Sequence, residues 1–432
     1  MKYESVAVIN GRVVGSLGES AGKYELRYED AWRQAEDAFP LSLSLPLTLA
    51  EHGDEAVRPY LANLLPDNDA ILRAWAREYR VSANNPLALL ARVGEECPGA
   101  LQILPPGRVD EILSQSHVDD VEWLSEEEIG ARLRHVLDEP GAWRKPDDPG
   151  QFSLAGAQPK IALLHDGERW GIPSRRTPTT HILKPPAMER FGGFAENEHV
   201  CLRLAARLGL PAARSEVRRF AGEVAIVVER YDRIRSGESW FRLHQEDFCQ
   251  ALAVHPDEKY ESEGGPKAVD LIRVIGERSL EPDLDVATMV GALALNWAIG
   301  TDAHAKNYSL LMQPGGRIRL APLYDVVSLL PYRESRGPRV KLAMSIGGEY
   351  RMRFIERRHW ERLADAIGAD REALVELVAD VVERIPATLD EICGGAADCG
   401  LGHPVLARLQ EEVGRRVSSC LSSLRRVGLP AD

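Results

Sequence analysis

The first forty residues alternate apolar and polar positions in the two-residue register of β-structure. Ser5–Ile9 (SVAVI) and Arg12–Leu17 (RVVGSL) flank Asn10-Gly11, a dipeptide suited to a tight hairpin because both residues tolerate positive φ. KYELRY (23–28) and PLSLSLPL (40–47) predict two more strands. Helical spacing follows over Tyr60–Leu64, Asp69–Tyr79 and Leu87–Val93. Ser125 and Glu128 make a capping-box pair ahead of a helix reaching about Leu137. Residues 138–150 (DEPGAWRKPDDPG) hold three prolines and two glycines among charges, which predicts a linker and a domain boundary.

Beyond that boundary the pattern changes. Ser153–Gln158 (SLAGAQ) is a loop of small residues. Lys160–Leu164 and Arg169–Ile172 flank Asp166-Gly167 as a second hairpin. His181–Lys184 is a short strand stopped by Pro185-Pro186, and Glu196–Leu208 has helical spacing. Ser215–Phe220 and Glu223–Val228 form two strands around Ala221-Gly222. From Gln245 the chain reads as helix, except for extended pieces at Tyr308–Met312 and Ile318–Leu320. Its most apolar stretch, Val286–Gly300, contains Asn296 and is too short to span a bilayer, so it predicts a buried helix. No period of 20–50 residues repeats, which excludes a solenoid.

Composition narrows the function classes. The 432 residues are 44% hydrophobic and 28% charged, as in an ordinary folded chain of several units. The net charge of −13 argues against coating nucleic acid or an anionic membrane through bulk charge. The Arg-bearing C-terminal helices read as solvated faces rather than DNA-contact surfaces. Only 9 of the 53 basic residues are Lys, so each Lys merits attention. The six cysteines are sparse and lie mostly in apolar contexts, as expected of reduced thiols. Cys393, Cys399 and His403 match no zinc spacing. With no basic-then-apolar leader in MKYESVAVIN, the expected location is cytoplasmic, without membrane association.

Four segments carry candidate chemistry. The Gly/Ala turn of Ser153–Gln158 lets backbone N–H groups approach a phosphate, although such a turn also serves as a plain connector. Lys184 ends a strand between Leu183 and Pro185, so its ammonium needs an anion or an exit to water; Glu198 is a candidate partner. Asp302 and Asn307, in the run GTDAHAKN (300–307), lie five residues apart just past the apolar helix. An Asp can accept the proton of an attacking hydroxyl, and an Asn carbonyl suits a hard cation. Asp-x4-Asn is also the spacing of the protein-kinase catalytic loop. Asp325, after Leu323-Tyr324, suits a second metal ligand. Small-residue loop, strand Lys, helix with Glu, hinge, Asp-x4-Asn and a later Asp follow one another in the order of a two-lobe kinase. The hinge candidate is Val228–Tyr231.

These stretches resemble the HipA family, serine/threonine-kinase toxins of bacterial HipBA toxin–antitoxin modules. The resemblance rests on NLLPDN (63–68), GEECPGAL (94–101), SLAGAQPK (153–160), HILKP (181–185), VERYDR (228–233), HQEDFCQA (244–251), TDAHAKN (301–307), YDVVS (324–328) and LAMSI (342–346). It implies an α+β, protein-kinase-like two-lobe fold, with a small mixed sheet lobe and a helical lobe, preceded by an N-terminal β-rich subdomain. The expected divisions are an N-terminal subdomain over 1–105, a helical segment and linker over 106–150, a nucleotide-binding lobe over 151–235 and a helical lobe with the catalytic loop over 236–432. The resemblance makes Asp302 the catalytic residue and Asn307 and Asp325 ligands of Mg2+. It assigns ATP to Ala155, Gly156, Ala157, Gln158, Pro159, Lys160, Lys184, Glu229, Arg230, Tyr231, His304, Lys306 and Tyr324. Ser153 matches the autophosphorylated serine whose added charge, about −2, is incompatible with a bound ATP phosphate. Pro159 departs from an acidic residue in the family's loop.

The resemblance also implies a helix-turn-helix antitoxin partner of the HipB kind, with operator DNA met only through or together with it. The expected substrate is a protein, such as a glutamyl-type aminoacyl-tRNA synthetase. Two other readings stay open: a small-molecule kinase on the same scaffold, and a kinase-like corepressor acting mainly through its DNA-binding partner.

Overall fold

The computed structural model describes residues 3–114, 121–139, 143, 148, 151–174, 177–186, 192–237, 239–332, 341–398 and 401–425. Most of the expected linker (138–150) and Cys399 lie outside them. The chain divides into two compact units. One comprises Met1–Ala187, Arg218–Asp257 and Ser309–Ile318; the other comprises Met188–Val217, Glu258–Tyr308 and Arg319–Asp432. Contacts between distant segments define both units, so neither is continuous in sequence.

The first unit opens with an antiparallel sheet of β1 (Tyr3–Ile9), β2 (Arg12–Ser20), β3 (Lys23–Tyr28), β4 (Glu51–His52) and β5 (Leu101–Leu104), ordered β4-β3-β2-β1-β5. Asn10 and Gly11 turn the first hairpin at φ 46° and 79°, as their residue types allow. The helices α1 (Asp30–Arg33), α2 (Asp54–Asn63), α3 (Asp69–Tyr79), α4 (Pro86–Val93) and α5 (Pro106–Ser114) follow. The expected strand at PLSLSLPL does not form. Pro40 and Pro46 remove ladder donors, and the Ser42 and Ser44 hydroxyls donate instead to the Gln250 carbonyl. Leu41 and Leu45 are nevertheless fully buried, so the alternation marks an irregular core segment.

A six-stranded sheet follows, built from β6 (Val121–Leu124), β7 (Ile161–His165), β8 (Trp170–Pro173), β9 (His181–Lys184), β10 (Ser215–Phe220) and β11 (Glu223–Glu229), in the order β10-β11-β9-β7-β8-β6. Where a mixed sheet is expected, the pairs β11–β9, β9–β7, β7–β8 and β8–β6 run antiparallel, and parallel pairing appears as the isolated bridge Glu96–Phe152. The edge strand β6 was missed inside a segment read as helix and linker; its side chains are half-buried or exposed, so it lacks an apolar run. Helix α6 (Glu126–Asp138) carries the expected capping box: the Ser125 hydroxyl accepts from the Glu128 N–H, and the Glu128 carboxylate accepts from the Ser125 N–H.

Short strands interrupt the run expected to be helical. They are β14 (Gln245–Asp247) and the pair β17 (Lys341–Ile346) and β18 (Glu349–Arg351), while β15 (Ser309–Gln313) and β16 (Arg317–Leu320) are the two expected extended pieces and the hairpin β12 (Arg233–Ser236) and β13 (Ser239–Arg242) precedes the run. The one-turn helix α8 (Phe248–Ala251) follows β14.

Helices dominate the second unit: α7 (Phe194–Arg207), α9 (Ala268–Arg278), α10 (Pro282–Ile299), α11 (Arg357–Ile367), α12 (Arg371–Asp398) and α13 (Pro404–Arg425). Helix α10 is the expected buried helix. Every residue from Met289 to Ile299 is buried, against α9, α12 and α13. Each large apolar side chain there contributes roughly 1.5–3 kcal/mol. Gly300 ends α10 at φ 66°, a left-handed cap that turns the chain out of the core. Among the described residues, no helix is long and apolar enough to cross a membrane.

Candidate functional site

The expected nucleotide-binding residues lie mostly in the first unit. Residues Leu154–Lys160 have no regular structure and are held at several points. The Ser153 N–H donates to the Glu96 carbonyl at 2.8 Å, and its hydroxyl donates to the Leu64 carbonyl at 2.7 Å. The Gly156 carbonyl accepts from the Asp67 N–H at 3.3 Å. Gly156 sits at φ 100°, and a Cβ there would lie 2.8 Å from Lys160 Nζ. The positive φ favours glycine, whereas the Lys160 ammonium is the end of a flexible side chain that could yield to a Cβ. Lys160 Nζ donates to the Ala155 carbonyl at 2.5 Å and stands 4.7 Å over the Trp143 ring. Gln158 reaches the Pro185 carbonyl at 3.5 Å, Ala157 is exposed and Pro159 is half-buried. Lys184 is buried at the end of β9, opposite Ile226 of β11.

The hinge residues differ among themselves. Glu229 closes β11 opposite His181, and its side chain is exposed. The Tyr231 hydroxyl donates to Gln245 Oε1. The Arg230 side chain is engaged away from the hinge backbone. The Arg230 backbone N–H donates to the Thr180 carbonyl, and its buried guanidinium is divided between Glu96 at 2.5 Å and Asp232 at 2.9 Å. Arg233 and Arg242 complete this cluster, and Thr179 and Gly99 donate their N–H groups to its carboxylates. Burial pushes the Glu96 carboxyl up, but three guanidiniums outweigh it and hold it below the usual range. At Asp232 burial again pushes the carboxyl up, and Arg230 and Arg233 outweigh it and hold it below the usual range. Arg230 is thus part of the frame beneath the hinge.

The second unit carries the loop after α10. Asp302 is exposed, and its Oδ2 accepts from the Tyr260 hydroxyl at 2.9 Å. His304 is buried, with its ring edge-on to Tyr260 at 5.0 Å. A single 3₁₀ turn, Ala305–Asn307, folds the segment back so that Asn307 Oδ1 accepts from the His304 N–H at 3.1 Å. Asn307 Nδ2 then donates to Asp325 Oδ2 at 3.2 Å, so the two expected metal ligands are neighbours. Lys306 is buried, and its carbonyl accepts from the Tyr324 hydroxyl at 2.7 Å.

Asp325 has φ 57°, the left-handed region that Asp tolerates better than most side chains. The flanking chain explains how that conformation persists. Leu323 exchanges backbone hydrogen bonds with Pro211 and Ala213, both at 2.8 Å. Ser328 is bonded through its carbonyl (2.8 Å) and its N–H (3.2 Å) to Asn197 of α7. Glu198, the next residue of α7, is fully buried; it belongs to the second unit and Lys184 to the first.

The Asn307 amide turns its nitrogen to the Asp325 carboxylate and its oxygen to the His304 N–H; the chemistry of the two side chains still suits Mg2+, which keeps waters and takes phosphate oxygens as its remaining ligands. Among the described residues no group of three or more His, Cys, Asp or Glu could hold a metal by itself. The Asn307 oxygen has a second lone pair beyond the one engaged by His304.

Comparison with known proteins agrees with this layout. The family model for the HipA-like C-terminal domain matches residues 152–389, and the model for the HipA N-terminal domain matches residues 6–104. The chain belongs to the HipA family. It is 37% identical to Y4mE of Sinorhizobium fredii, a protein named as a kinase by inference, over 90% of this chain and 93% of that one. It is 29% identical to the serine/threonine-protein kinase toxin HipA of Shewanella oneidensis, over 87% of this chain and 86% of the relative. A solved complex of Shewanella oneidensis HipA with HipB and operator DNA contains a chain that superposes with a TM-score of 0.80. That chain is 25% identical, with 98% of this chain and 100% of that one covered. The α+β, kinase-like class expected from the motifs is therefore the HipA fold.

Membership in the HipA family gives meaning to residues that sequence reasoning passed over. NLLPDN supplies the Leu64 carbonyl and the Asp67 N–H beneath the small-residue loop, and GEECPGAL supplies Glu96 beneath the hinge. Tyr260 is the other omission; no local pattern marks a tyrosine whose partner lies 42 residues away. Cys97, Cys201, Cys249, Cys393 and Cys420 are free thiols, and His403 Nδ1 accepts from the Val405 N–H at the start of α13.

Proposed function

We propose that this HipA-family chain is an ATP- and Mg2+-dependent serine/threonine protein kinase and the toxin of a toxin–antitoxin pair. The observation that carries the reading is the pairing of Asn307 with Asp325 on a loop that leaves Asp302 exposed. In this reading Asp302 receives the proton of the acceptor hydroxyl as its oxygen bonds to the γ-phosphorus. The bond from that phosphorus to the bridging oxygen breaks, and ADP leaves. Lys184 and the N–H groups of residues 155–158 and 160 bind the ATP phosphates, and the backbone of Glu229, Arg230 and Tyr231 meets the adenine edge. Asn307 and Asp325 would hold Mg2+, which supplies charge neutralisation on the phosphates. His304, Lys306 and Tyr324 also bind the nucleotide, while the contacts of His304 and Lys306 shape the loop.

The acceptor is a protein, in the family an aminoacyl-tRNA synthetase of the glutamyl type, and the consequence is growth arrest and persistence. A HipB-like helix-turn-helix antitoxin is the partner, and operator DNA is met through or together with it; the Shewanella oneidensis complex supports that assignment. The place of action is the cytoplasm. Ser153 is the self-modification site, which requires the loop to leave its buried position.

Intact mass of wild-type and Asp302→Ala protein, with and without Mg-ATP, tests the reading. A gain of about 80 Da on wild type alone, mapped to Ser153, and a labelled protein band in cell extract support it. A fully active Asp302→Ala protein rejects it, and label confined to small molecules replaces it with a small-molecule kinase.

A further inference from the structure

We infer that Tyr260 is the positioning residue of the Asp302 carboxylate, an inference that rests on the kinase reading and deepens it. Asp302 stands two residues past the cap of α10, on an exposed stretch with no regular structure. Two side-chain bonds rotate there, and a base must be held within roughly 0.5 Å of its productive place. The Tyr260 hydroxyl supplies that constraint. It donates to Oδ2 at 2.9 Å, and fixing one carboxylate oxygen fixes the other, Oδ1, for an acceptor hydroxyl.

The segment that bears Tyr260 is built to be rigid. The Tyr260 carbonyl accepts from Glu263 at 2.9 Å and from Gly265 at 3.0 Å, closing a tight loop. A Cβ on Gly265 would lie 1.9 Å from the Glu258 carbonyl oxygen, so no side chain fits at that position. The neighbouring Glu261 carboxylate accepts from the Ser345 N–H at 2.6 Å and from its hydroxyl at 2.9 Å, tying the loop to β17. The Tyr260 ring meets His304 edge-on, and the His304 N–H is bonded to Asn307. One side chain therefore touches the base directly and, through His304, the turn that places a metal ligand. A mobile lid would have no such ties; this arrangement suits a fixed brace.

Kinetics of Tyr260→Phe, alone and in the Asp302→Ala background, test the role. The phenylalanine keeps the ring against His304 and loses only the hydroxyl. The expected result is a fall in kcat of about 10- to 100-fold with KM for ATP unchanged. Because Tyr260 acts through Asp302, the second substitution should change nothing further in Asp302→Ala protein. Wild-type kcat in Tyr260→Phe, or an equal loss in both backgrounds, overturns the inference. Hydrogen exchange of the 300–308 segment in nucleotide-free protein gives an independent reading. Exchange should quicken in Tyr260→Phe there and nowhere else, whereas an unchanged segment overturns the positioning role. If wild type transfers no phosphate, the kinase reading fails by itself, and the exchange result alone decides whether Tyr260 braces the loop.

Discussion

Asn307 joins two strands of logic through one amide: its oxygen accepts from the His304 N–H at 3.1 Å, and its nitrogen donates to Asp325 at 3.2 Å. The first bond shapes the loop, and the second brings the two expected metal ligands together from positions 18 residues apart. In the proposed role Asp325 would hold Mg2+ through its carboxylate, so its negative charge is the property to remove. Asp325→Asn should keep the left-handed backbone at φ 57°, because Asn tolerates that region. Mg2+-dependent phosphoryl transfer should fall by at least about a hundredfold, with unfolding stability little changed. Asp325→Ala should add roughly 1 kcal/mol of backbone cost to the same loss of rate. Rates titrated against Mg2+, together with urea unfolding of each variant, check both statements; an unaltered Mg2+ dependence in Asp325→Asn removes Asp325 from the metal site.

Ser153 is fully buried, with its hydroxyl on the Leu64 carbonyl. Removing the hydroxyl leaves that carbonyl one donor short, and Ser153→Ala should cost about 1 kcal/mol. Ser153→Asp places a charge in the same space and should either destabilise the protein several times more or expel the loop. Nucleotide affinity should therefore fall in Ser153→Asp and be nearly unchanged in Ser153→Ala. Fluorescent-nucleotide titration and urea unfolding separate the two; equal behaviour of the variants would show that the site is not closed around Ser153.

The candidate site segments stand out in the sequence because each is local. TDAHAKN places Asp302 and Asn307 by one turn of chain after a helix that its apolar run already marked, and the Gly/Ala loop announces its own lack of side chains. The braces were not readable. Ser153 meets Leu64 across 89 residues, Arg230 meets Glu96 across 134 and Tyr260 meets Asp302 across 42, and no periodicity encodes such pairs. For the same reason VERYDR reads as a hinge in isolation, while its first arginine is held under that hinge by a distant glutamate. Among the elements, the Asn10-Gly11 hairpin and α10 follow from pattern alone. PLSLSLPL misleads because alternation records burial, and the two prolines decide that the buried segment is not a strand.

The cluster of Glu96, Asp232, Arg230, Arg233 and Arg242 makes a stability prediction. Two carboxylates face three buried guanidiniums, so deleting either acid raises the excess positive charge from one to two. Glu96→Ala should destabilise the first unit by roughly 3–5 kcal/mol. Both carboxyls titrate below their usual range in the folded chain, so their contribution is complete above the unfolded values and is lost as pH falls through the folded ones. Acid unfolding should consequently begin at higher pH in Glu96→Gln than in wild type. Circular dichroism along an acid titration reads this directly; coincident curves would mean that the cluster contributes little net stability.

Glu246 carries the opposite sign. It is buried on β14, its Oε1 accepts from the Leu43 N–H at 2.9 Å, and burial pushes its carboxyl up to about 8, with the neighbouring Asp247 adding to the rise. The folded chain thus holds this proton more tightly than the unfolded chain, where the carboxyl titrates near 4.5. Its influence on stability is most favourable below about pH 4.5, declines as pH rises toward 8 and is level beyond. Across that window the decline should be on the order of a few kcal/mol. Glu246→Gln keeps an acceptor for the Leu43 N–H and has no proton to lose, so its stability should be flatter with pH and should exceed that of wild type at pH 8. Urea unfolding of both proteins between pH 5 and 9 measures the difference, which should widen with pH; parallel curves would show that Glu246 is ionised in the folded chain throughout.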